Sequence, residues 1–254
     1  MKALYTAATG MNAQTHRLDN IANNISNVNT TSYKRSTASF ADLFYEELAV
    51  GGGEGETPAA VQIGGGVQLT GVVRDHSSGS MVYTGDPLNA AIAGEGFFEV
   101  TNEAGELFYT RDGTFRPTSD GTLVTTQGYV VGTGINVEGY ERVEIRPNGS
   151  VIGIDEAGTE TTLGEMTVIA FSNPTAMEAM GGNLYRASEL AGDPLQVELG
   201  QNGNELRGGH LEGSNVDVAR ELIEMIQAQR AYELTSKVIQ AADETLQTAV
   251  NLRR

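Results

Sequence analysis

The sequence contains no cysteine and no tryptophan, and only 6% of its 254 residues are aromatic. Without cysteine the chain can form neither disulfide bonds nor thiolate metal sites. Its three histidines, His16, His76 and His210, are scattered along the chain without the spacing of metal ligands. We therefore expect no metal site and no cofactor.

Long apolar runs are also missing. No stretch approaches the ~18 consecutive apolar residues that span a bilayer. The opening segment "MKALYTAATGMNAQ" is interrupted by polar residues before the apolar core of a signal peptide can form. If this protein leaves the cytoplasm, we expect it to use a route that needs no cleavable signal.

Positive charge is scarce, since 16 basic residues face 33 acidic ones and the formal net charge is −17. Residues 1–35 carry +3 and residues 214–254 carry −1, so the middle of the chain carries −19. Nucleic acids and anionic membranes are bound through basic surfaces. The acidic middle therefore argues against both as partners.

The N-terminal segment carries an apolar heptad. Leu4, Met11, Leu18 and Ile25 recur every seven residues, which predicts a helix with a coiled-coil seam. Gln14 falls on the second seam position and interrupts it with a polar side chain.

The C-terminal segment repeats the pattern over a greater length. Met225, Tyr232, Ile239 and Leu246 recur every seven residues, with small residues between them. We predict a helix that is capped by Ser214 or Asn215, with Asp217 completing an approximate capping box, and that runs to Leu252. Its length would be roughly 37 residues, or about 55 Å.

A second apolar set on this helix, Leu222, Ile226 and Val238, lies off the main seam. The N-terminal helix can cover one seam, so the second set needs another partner. One interpretation is a large helical bundle within one domain. The other is that the second face contacts other subunits.

Between the two ends the pattern alternates with period two, which predicts strands around 97–100, 107–110, 123–125 and 129–131. Turn sequences such as Asp112-Gly113 separate them, and a further hairpin is predicted to turn at Asn148-Gly149. The glycine-rich stretch 48–66 has the composition of a linker. Together these patterns predict an α+β fold, in which long N- and C-terminal helices pair as a coiled coil around an inserted antiparallel all-β domain.

Candidate catalytic sequences are few. "RDHSSGS" places Asp75, His76 and Ser77 side by side, but catalytic triads are assembled from distant segments. The glycines at 64–66 are not followed by the lysine and hydroxyl residue of a phosphate-binding loop. We predict no catalytic residues.

Three segments resemble the flagellar basal-body rod and hook protein family. "NIANNISNVNTTSYKR" (20–35) is similar to its N-terminal signature, an asparagine-rich helix end followed by threonine, an aromatic and a basic residue. Residues 212–247, including "QRAYE" at 229–233, are similar to its C-terminal signature. "AIAGEGFFEV", "YTRDGTF" and "GTLVTTQGY" resemble its shared β domain. One departure is Ser32, where the family usually has glycine.

The resemblance implies a layered subunit. Residues 1–35 and 214–254 would form an inner layer of coiled-coil helices with the C-terminal helix innermost. Residues 36–80 would be an extended linker with a rod-type insertion at 48–66, and residues 81–213 would form a β-rich outer domain.

Within the family the similarity is greatest to the distal rod subunit, in segments such as "FADLFYEEL" and "NPTAMEAMGGNLY". This implies a structural protein, not an enzyme, that assembles with itself into a hollow helical rod and transmits torque from motor to hook. The implied partners are the proximal rod proteins, the hook protein or hook–rod junction, the surrounding basal-body rings and the flagellar type III export apparatus. The implied location is the periplasm-spanning rod of the basal body.

The assembly interface is predicted on both terminal helices. Because identical helices need a defined register, we expect the amides of Asn23 and Asn24 to form hydrogen bonds across subunit interfaces, and Asn27 and Asn29 to end the helix. The predicted interface residues are Leu4, Met11, Leu18, Ile21, Asn23, Asn24, Ile25, Leu222, Met225, Ile226, Gln229, Arg230, Tyr232, Glu233, Ile239 and Leu246.

Two alternatives stay open at this stage. The chain could be a proximal rod protein or the hook protein of the same family. It could also be a secreted cell-wall hydrolase, although no motif singles out the pair of carboxylates that such an enzyme needs.

Overall fold

Two long helices occupy the ends of the chain in the computed structural model, which describes residues 2–49, 60–201 and 203–251. Helix α1 spans Lys2–Ser26 and helix α2 spans Val218–Asn251. As predicted, α1 ends before Asn27 and Asn29, and the Asn27 carbonyl accepts the Thr30 N–H in the turn that follows. Within the described ranges, neither helix is apolar enough over a sufficient length to cross a membrane.

The predicted cap of α2 is wrong by two or three residues. The side chain of Asp217 accepts the backbone N–H groups of Ala219 and Arg220, so Asp217 is the capping residue. Ser214 instead accepts the N–H of Val216, and the Asn215 amide bonds to other segments. An acidic cap also places negative charge at the positive end of the helix dipole.

Twenty strands lie between the helices in the described residues, and every pairing between them is antiparallel. Their ranges are β1 Ser36–Asp42, β2 Tyr45–Ala49, β3 Ala60–Gly64, β4 Val67–Arg74, β5 Met81–Tyr83, β6 Ala90–Ala93, β7 Phe97–Thr101, β8 Leu107–Thr110, β9 Phe115–Pro117, β10 Leu123–Thr125, β11 Val130–Val131, β12 Arg142–Ile145, β13 Ser150–Ile154, β14 Glu160–Glu165, β15 Val168–Ala170, β16 Glu178–Gly181, β17 Leu184–Arg186, β18 Leu195–Gln196, β19 Glu205–Gly208 and β20 His210–Glu212. Two short 3₁₀ turns, Pro174–Ala176 and Glu189–Ala191, complete the elements.

The predicted strands and the predicted α+β class are confirmed. Strands β7, β8 and β10 cover three of the stretches expected from alternation, and β11 covers residues 130–131 of the fourth. Strands β12 and β13 form the hairpin around Asn148-Gly149, where Gly149 has a φ of +88° that its lack of a Cβ permits.

The chain divides into two units. The helical unit comprises Met1–Ser26, Ser36–Arg74 and Asp217–Arg254, and the β unit comprises Asn27–Arg35 and Asp75–Val216. The boundaries predicted from the sequence placed residues 27–35 with the terminal helices, whereas in the structure these residues belong to the β unit. Residues 75–80, which sequence grouped with the linker, also belong to the β unit.

In the helical unit, α1 and α2 pack against each other and α1 also packs against β1 and β4. Strand β1 pairs with β4, and β2 pairs with β3, so the predicted extended linker consists of antiparallel strand pairs. Residues 50–59 of the predicted insertion lie outside the described residues.

In the β unit, β7 lies inside a nine-stranded sheet with the order β16-β17-β8-β7-β11-β10-β9, and β15 and β18 pair beside it. The two phenylalanines that begin β7 point to opposite faces. Phe98 packs in a core with Val100, Phe115 and Leu123. Phe97 packs in a second core with Tyr109 and other residues, so the sheet is covered on both faces.

Candidate assembly interface

The buried apolar side chains of α1 and α2 are mostly small. Ala7, Ala13 and Ile21 of α1 and Ala228 of α2 are buried. The four predicted heptad residues of α1, Leu4, Met11, Leu18 and Ile25, are half-buried. Small residues let two helices approach closely, and the larger heptad side chains keep part of their apolar surface in water.

Gln14 interrupts this packing as the heptad suggested. Its amide oxygen is shielded from solvent and accepts no hydrogen bond among the described residues. A shielded polar atom without a partner costs free energy. The α1 seam is therefore weaker at this point than an all-apolar heptad would be.

The second apolar set of α2 is exposed in the single chain. Leu222, Ile226 and Val238 expose 46%, 51% and 51% of their surface. Further large apolar side chains of α2 are exposed as well: Ile223, Leu234, Leu246 and Val250. We call the row at 222, 226, 234, 238, 246 and 250 the α2 stripe, of which Leu246 also belongs to the main heptad. Its members are separated by four or eight residues, so it follows an i+4 ridge that turns about 40° around the helix axis at each step of four.

The main heptad of α2 is only partly covered. Met225 and Ile239 are half-buried, whereas Tyr232 and Leu246 are exposed. The polar members of the predicted interface, Gln229, Arg230 and Glu233, are also exposed. The structure therefore places most of the predicted α2 interface residues on the surface of the subunit.

The predicted role of Asn24 needs correction. Its Nδ2 donates to the Ser36 carbonyl (2.8 Å) and to a Glu221 carboxylate oxygen (3.1 Å). Its Oδ1 accepts the Ser36 N–H (3.0 Å) and hydroxyl (3.1 Å). An amide has two donors and two acceptor positions. The hydrogen-bonding capacity of Asn24 is filled inside the helical unit, so this side chain cannot fix register between subunits.

Asn24 instead ties together α1, β1 and α2 of one chain. Asn24, Ser36 and Glu221 are all buried, and Asn20 adds a hydrogen bond from its Nδ2 to the Ser36 hydroxyl (2.9 Å). Asn23 is exposed on α1, and its predicted role at a subunit interface stays a prediction.

Replacing Asn24 by alanine should destabilise the helical unit. The Ser36 N–H and the Glu221 carboxylate would lose a buried partner, and each such loss costs about 1–3 kcal/mol. Asn12→Ala is the matched control, because Asn12 lies on the same helix with an exposed side chain, and its loss should change the free energy of unfolding by about 0.5 kcal/mol or less. Urea unfolding followed by far-UV circular dichroism measures both; equal effects would contradict the role assigned to Asn24.

A buried charge cluster in the β unit was not predicted from sequence. It consists of Lys34, Arg111 and Glu212, whose side chains are 0%, 3% and 1% exposed. Lys34 Nζ lies 2.6 Å from Glu212 Oε1, and Arg111 Nη1 lies 3.2 Å from Glu212 Oε2. Desolvation lowers the pKa of Lys34 below its ordinary value, although the Glu212 carboxylate opposes this shift. Two cations thus share one counter-ion.

Backbone carbonyls and serine hydroxyls form further hydrogen bonds with the residues of the cluster. Arg111 donates from Nε to the Gly96 carbonyl (2.7 Å) and from Nη2 to the Gly94 carbonyl (2.6 Å). Ser32 donates its N–H to the Glu212 carbonyl (2.8 Å) and its hydroxyl to the Arg111 carbonyl (2.7 Å). Ser32 adopts a φ of +55°, a conformation that suits glycine. The glycine that the family usually has at this position can therefore adopt the same turn.

The adjacent Asp75, His76 and Ser77 do not form a triad. Asp75 Oδ1 accepts the backbone N–H of Ser77 (2.9 Å), and the His76 ring packs edge-on against Phe97 and Tyr185. The residues therefore shape a turn and a core contact.

Comparison with known proteins matches three separate stretches of the chain. The family model described as flagella basal body rod protein matches residues 4–34. The flagellar hook protein FlgE/F/G D1 domain matches residues 91–153, and the flagellar basal body rod FlgEFG protein C-terminal domain matches residues 207–252. They occur in the same order as the segments on which the resemblance was based.

Relatives match over nearly the whole length. The flagellar basal-body rod protein FlgG of Agrobacterium fabrum is 40% identical over 252 residues, which cover 96% of both chains. FlgG of Borreliella burgdorferi is 40% identical over 263 residues, covering 100% of this chain and 99% of the relative. FlgG of Bacillus subtilis is 35% identical over 267 residues, covering 100% of both.

Proposed function

The chain belongs to the flagellar basal-body rod protein family and is a structural subunit of the flagellar rod, and from this premise we propose that it builds the distal segment of that rod. The observation that carries the proposal is the identity of 35–40% to FlgG proteins over nearly their full length. These relatives match both terminal segments of this chain, and those are the segments through which we expect the helical polymer to be built.

The subunits would assemble through their terminal helices into a hollow helical polymer. The exposed α2 stripe supports this step, because rows of apolar side chains left in water favour burial against another surface. In the polymer, α1 and α2 would pair as a coiled coil in an inner layer, with α2 innermost and the β unit outside. The half-buried heptad residues of α1 agree with a seam that neighbouring copies complete.

The polymer would transmit torque from the motor to the hook. Its partners would be further copies of this chain, the proximal rod proteins at one end, the hook protein or hook–rod junction at the other, and the surrounding basal-body rings. The subunit would reach the rod through the flagellar type III export apparatus.

The position of the protein along the flagellum tests this proposal. In a strain whose own copy of the gene is deleted, we expect flagellar assembly to stop before the hook and motility to be lost. A tagged copy that restores motility should be found, by immunogold labelling of isolated hook–basal bodies, between the proximal rod and the hook. Label confined to the proximal rod would indicate that the chain is a proximal rod protein, and label confined to the hook would indicate that it is the hook protein.

A further inference from the structure

The chain passes between its two units four times, at Ser26, Arg35, Arg74 and Val216. At the last three of these boundaries, the residues on the side of the β unit are Arg35, Asp75 and the segment that ends at Val216. These three segments are hydrogen-bonded to one another inside the β unit, although they are distant in sequence.

Asn215 is the centre of these bonds. Its Oδ1 accepts the Arg35 N–H (2.7 Å), and its Nδ2 donates to the carbonyls of Asp75 (2.8 Å) and Ser77 (3.1 Å). The Asp75 N–H donates to the Arg35 carbonyl (2.9 Å). Arg35, Asp75 and Asn215 therefore form a closed ring of hydrogen bonds that joins three passages.

The buried charge cluster fastens the same three segments a few residues away. Glu212 Oε1, in the segment before Val216, accepts Lys34 Nζ (2.6 Å) and the Gly79 N–H (2.8 Å). Lys34 Nζ also donates to the Ser77 carbonyl (2.7 Å). Each segment thus has one attachment in the ring and one in the cluster, and the side chains of Lys34 and Glu212 are shielded from water.

We propose that the ring of Arg35, Asp75 and Asn215, backed by the buried charge cluster, is a crossing clamp that spreads mechanical load over three chain passages. The inference rests on the proposed function as a torque-bearing subunit. Local unfolding starts at weakly held segments. A segment that carries load alone can detach one hydrogen bond at a time, whereas three segments tied to each other must be released together.

Swimming under increasing load tests the clamp. Asn215→Ala opens the ring but leaves the charge cluster in place. Asn215→Asp keeps the acceptor for Arg35, but its second carboxylate oxygen would face the carbonyls of Asp75 and Ser77 and repel them, so it should open the ring at least as fully. Asn102→Ala is the matched control, because Asn102 also holds a backbone turn of the β unit, between β7 and β8, but lies at no passage. Each variant replaces the chromosomal copy, and swimming speed is recorded in media of rising viscosity.

We expect all three variants to build rods and to swim as wild type in dilute medium. As viscosity rises, Asn215→Ala and Asn215→Asp should both lose motility at a lower viscosity than wild type, and the control at the same viscosity as wild type. In purified Asn215→Ala protein, hydrogen exchange at Arg35 and Asp75 should be at least about tenfold faster, while exchange in the β7 core is unchanged. This measurement shows that the β unit is still folded.

Two results would overturn the clamp. One is an Asn215→Ala strain that matches wild type at every viscosity. The other is a loss of speed that is the same at all viscosities, since that would indicate ordinary destabilisation. The failure of the proposed function would look different: the gene deletion itself would leave complete rods and hooks.

Discussion

Glu212→Gln is expected to lower the free energy of unfolding of the β unit by about 3–5 kcal/mol, whereas Lys34→Met should cost about 1 kcal/mol or less. The glutamine side chain carries no charge, so it would leave two buried cations, Lys34 and Arg111, without a counter-ion. Removing Lys34 instead leaves Arg111 and Glu212 as a matched pair, and a methionine of similar length fills the space. The Ser77 carbonyl would keep its hydrogen bond from Asn215.

Chemical denaturation of the purified chain, followed by tyrosine fluorescence, measures this difference. Glu178→Gln is the matched control, since Glu178 and Arg186 form an ion pair whose side chains are 54% and 55% exposed. Exposed pairs contribute about 0–1 kcal/mol. If Glu212→Gln cost no more than Glu178→Gln, or if Lys34→Met cost more than Glu212→Gln, the carboxylate would not be the shared counter-ion that the geometry indicates.

The sequence predicted those parts of the fold that depend on neighbouring residues. Heptad spacing predicted both terminal helices, because helix-forming residues and their apolar faces repeat within a few turns. Turn pairs such as Asn148-Gly149 predicted hairpins for the same reason: the residues that set the turn adjoin the strands that pair. The cap of α2 was misplaced because Ser214, Asn215 and Asp217 all have capping side chains, and packing decides which one adopts the required geometry.

Contacts between distant segments could not be predicted. Lys34 and Glu212 are separated by 178 positions, and each alone has the appearance of a solvated surface charge. Their burial follows from pairings such as β5 with β20 and β6 with β19, which local patterns do not specify. Asn24 was assigned to a subunit interface for a related reason: an amide that bonds to Ser36 and Glu221 has the same sequence signature as one that faces a neighbouring subunit. Ser32, at a position where the family usually has glycine, was the single local signal that a special backbone conformation occurs there.

Ile226→Glu is expected to abolish rod assembly while leaving the subunit folded. Ile226 lies on the α2 stripe and exposes 51% of its surface in the single chain. A glutamate there stays hydrated in the free subunit, and glutamate is a good helix former, so the free energy of unfolding should change by about 0.5 kcal/mol or less.

In the proposed polymer the same glutamate would lie between subunits. An unpaired carboxylate that leaves water loses several kcal/mol of hydration. Because every subunit carries the substitution, the loss recurs at each addition to the rod, and a polymer held by many modest contacts cannot compensate for it.

The measurements are thermal unfolding of the purified chain and the yield of hook–basal bodies with a complete rod. Ile226→Leu is the control, because it conserves apolar volume and should retain assembly and motility. Wild-type rods built from Ile226→Glu subunits would show that the α2 stripe remains in water after assembly. A comparable loss of assembly in Ile226→Leu would instead indicate that the shape of the isoleucine matters more than its apolar character. The expected pair of results, failure with glutamate and assembly with leucine, requires that the stripe is buried against an apolar surface in the rod.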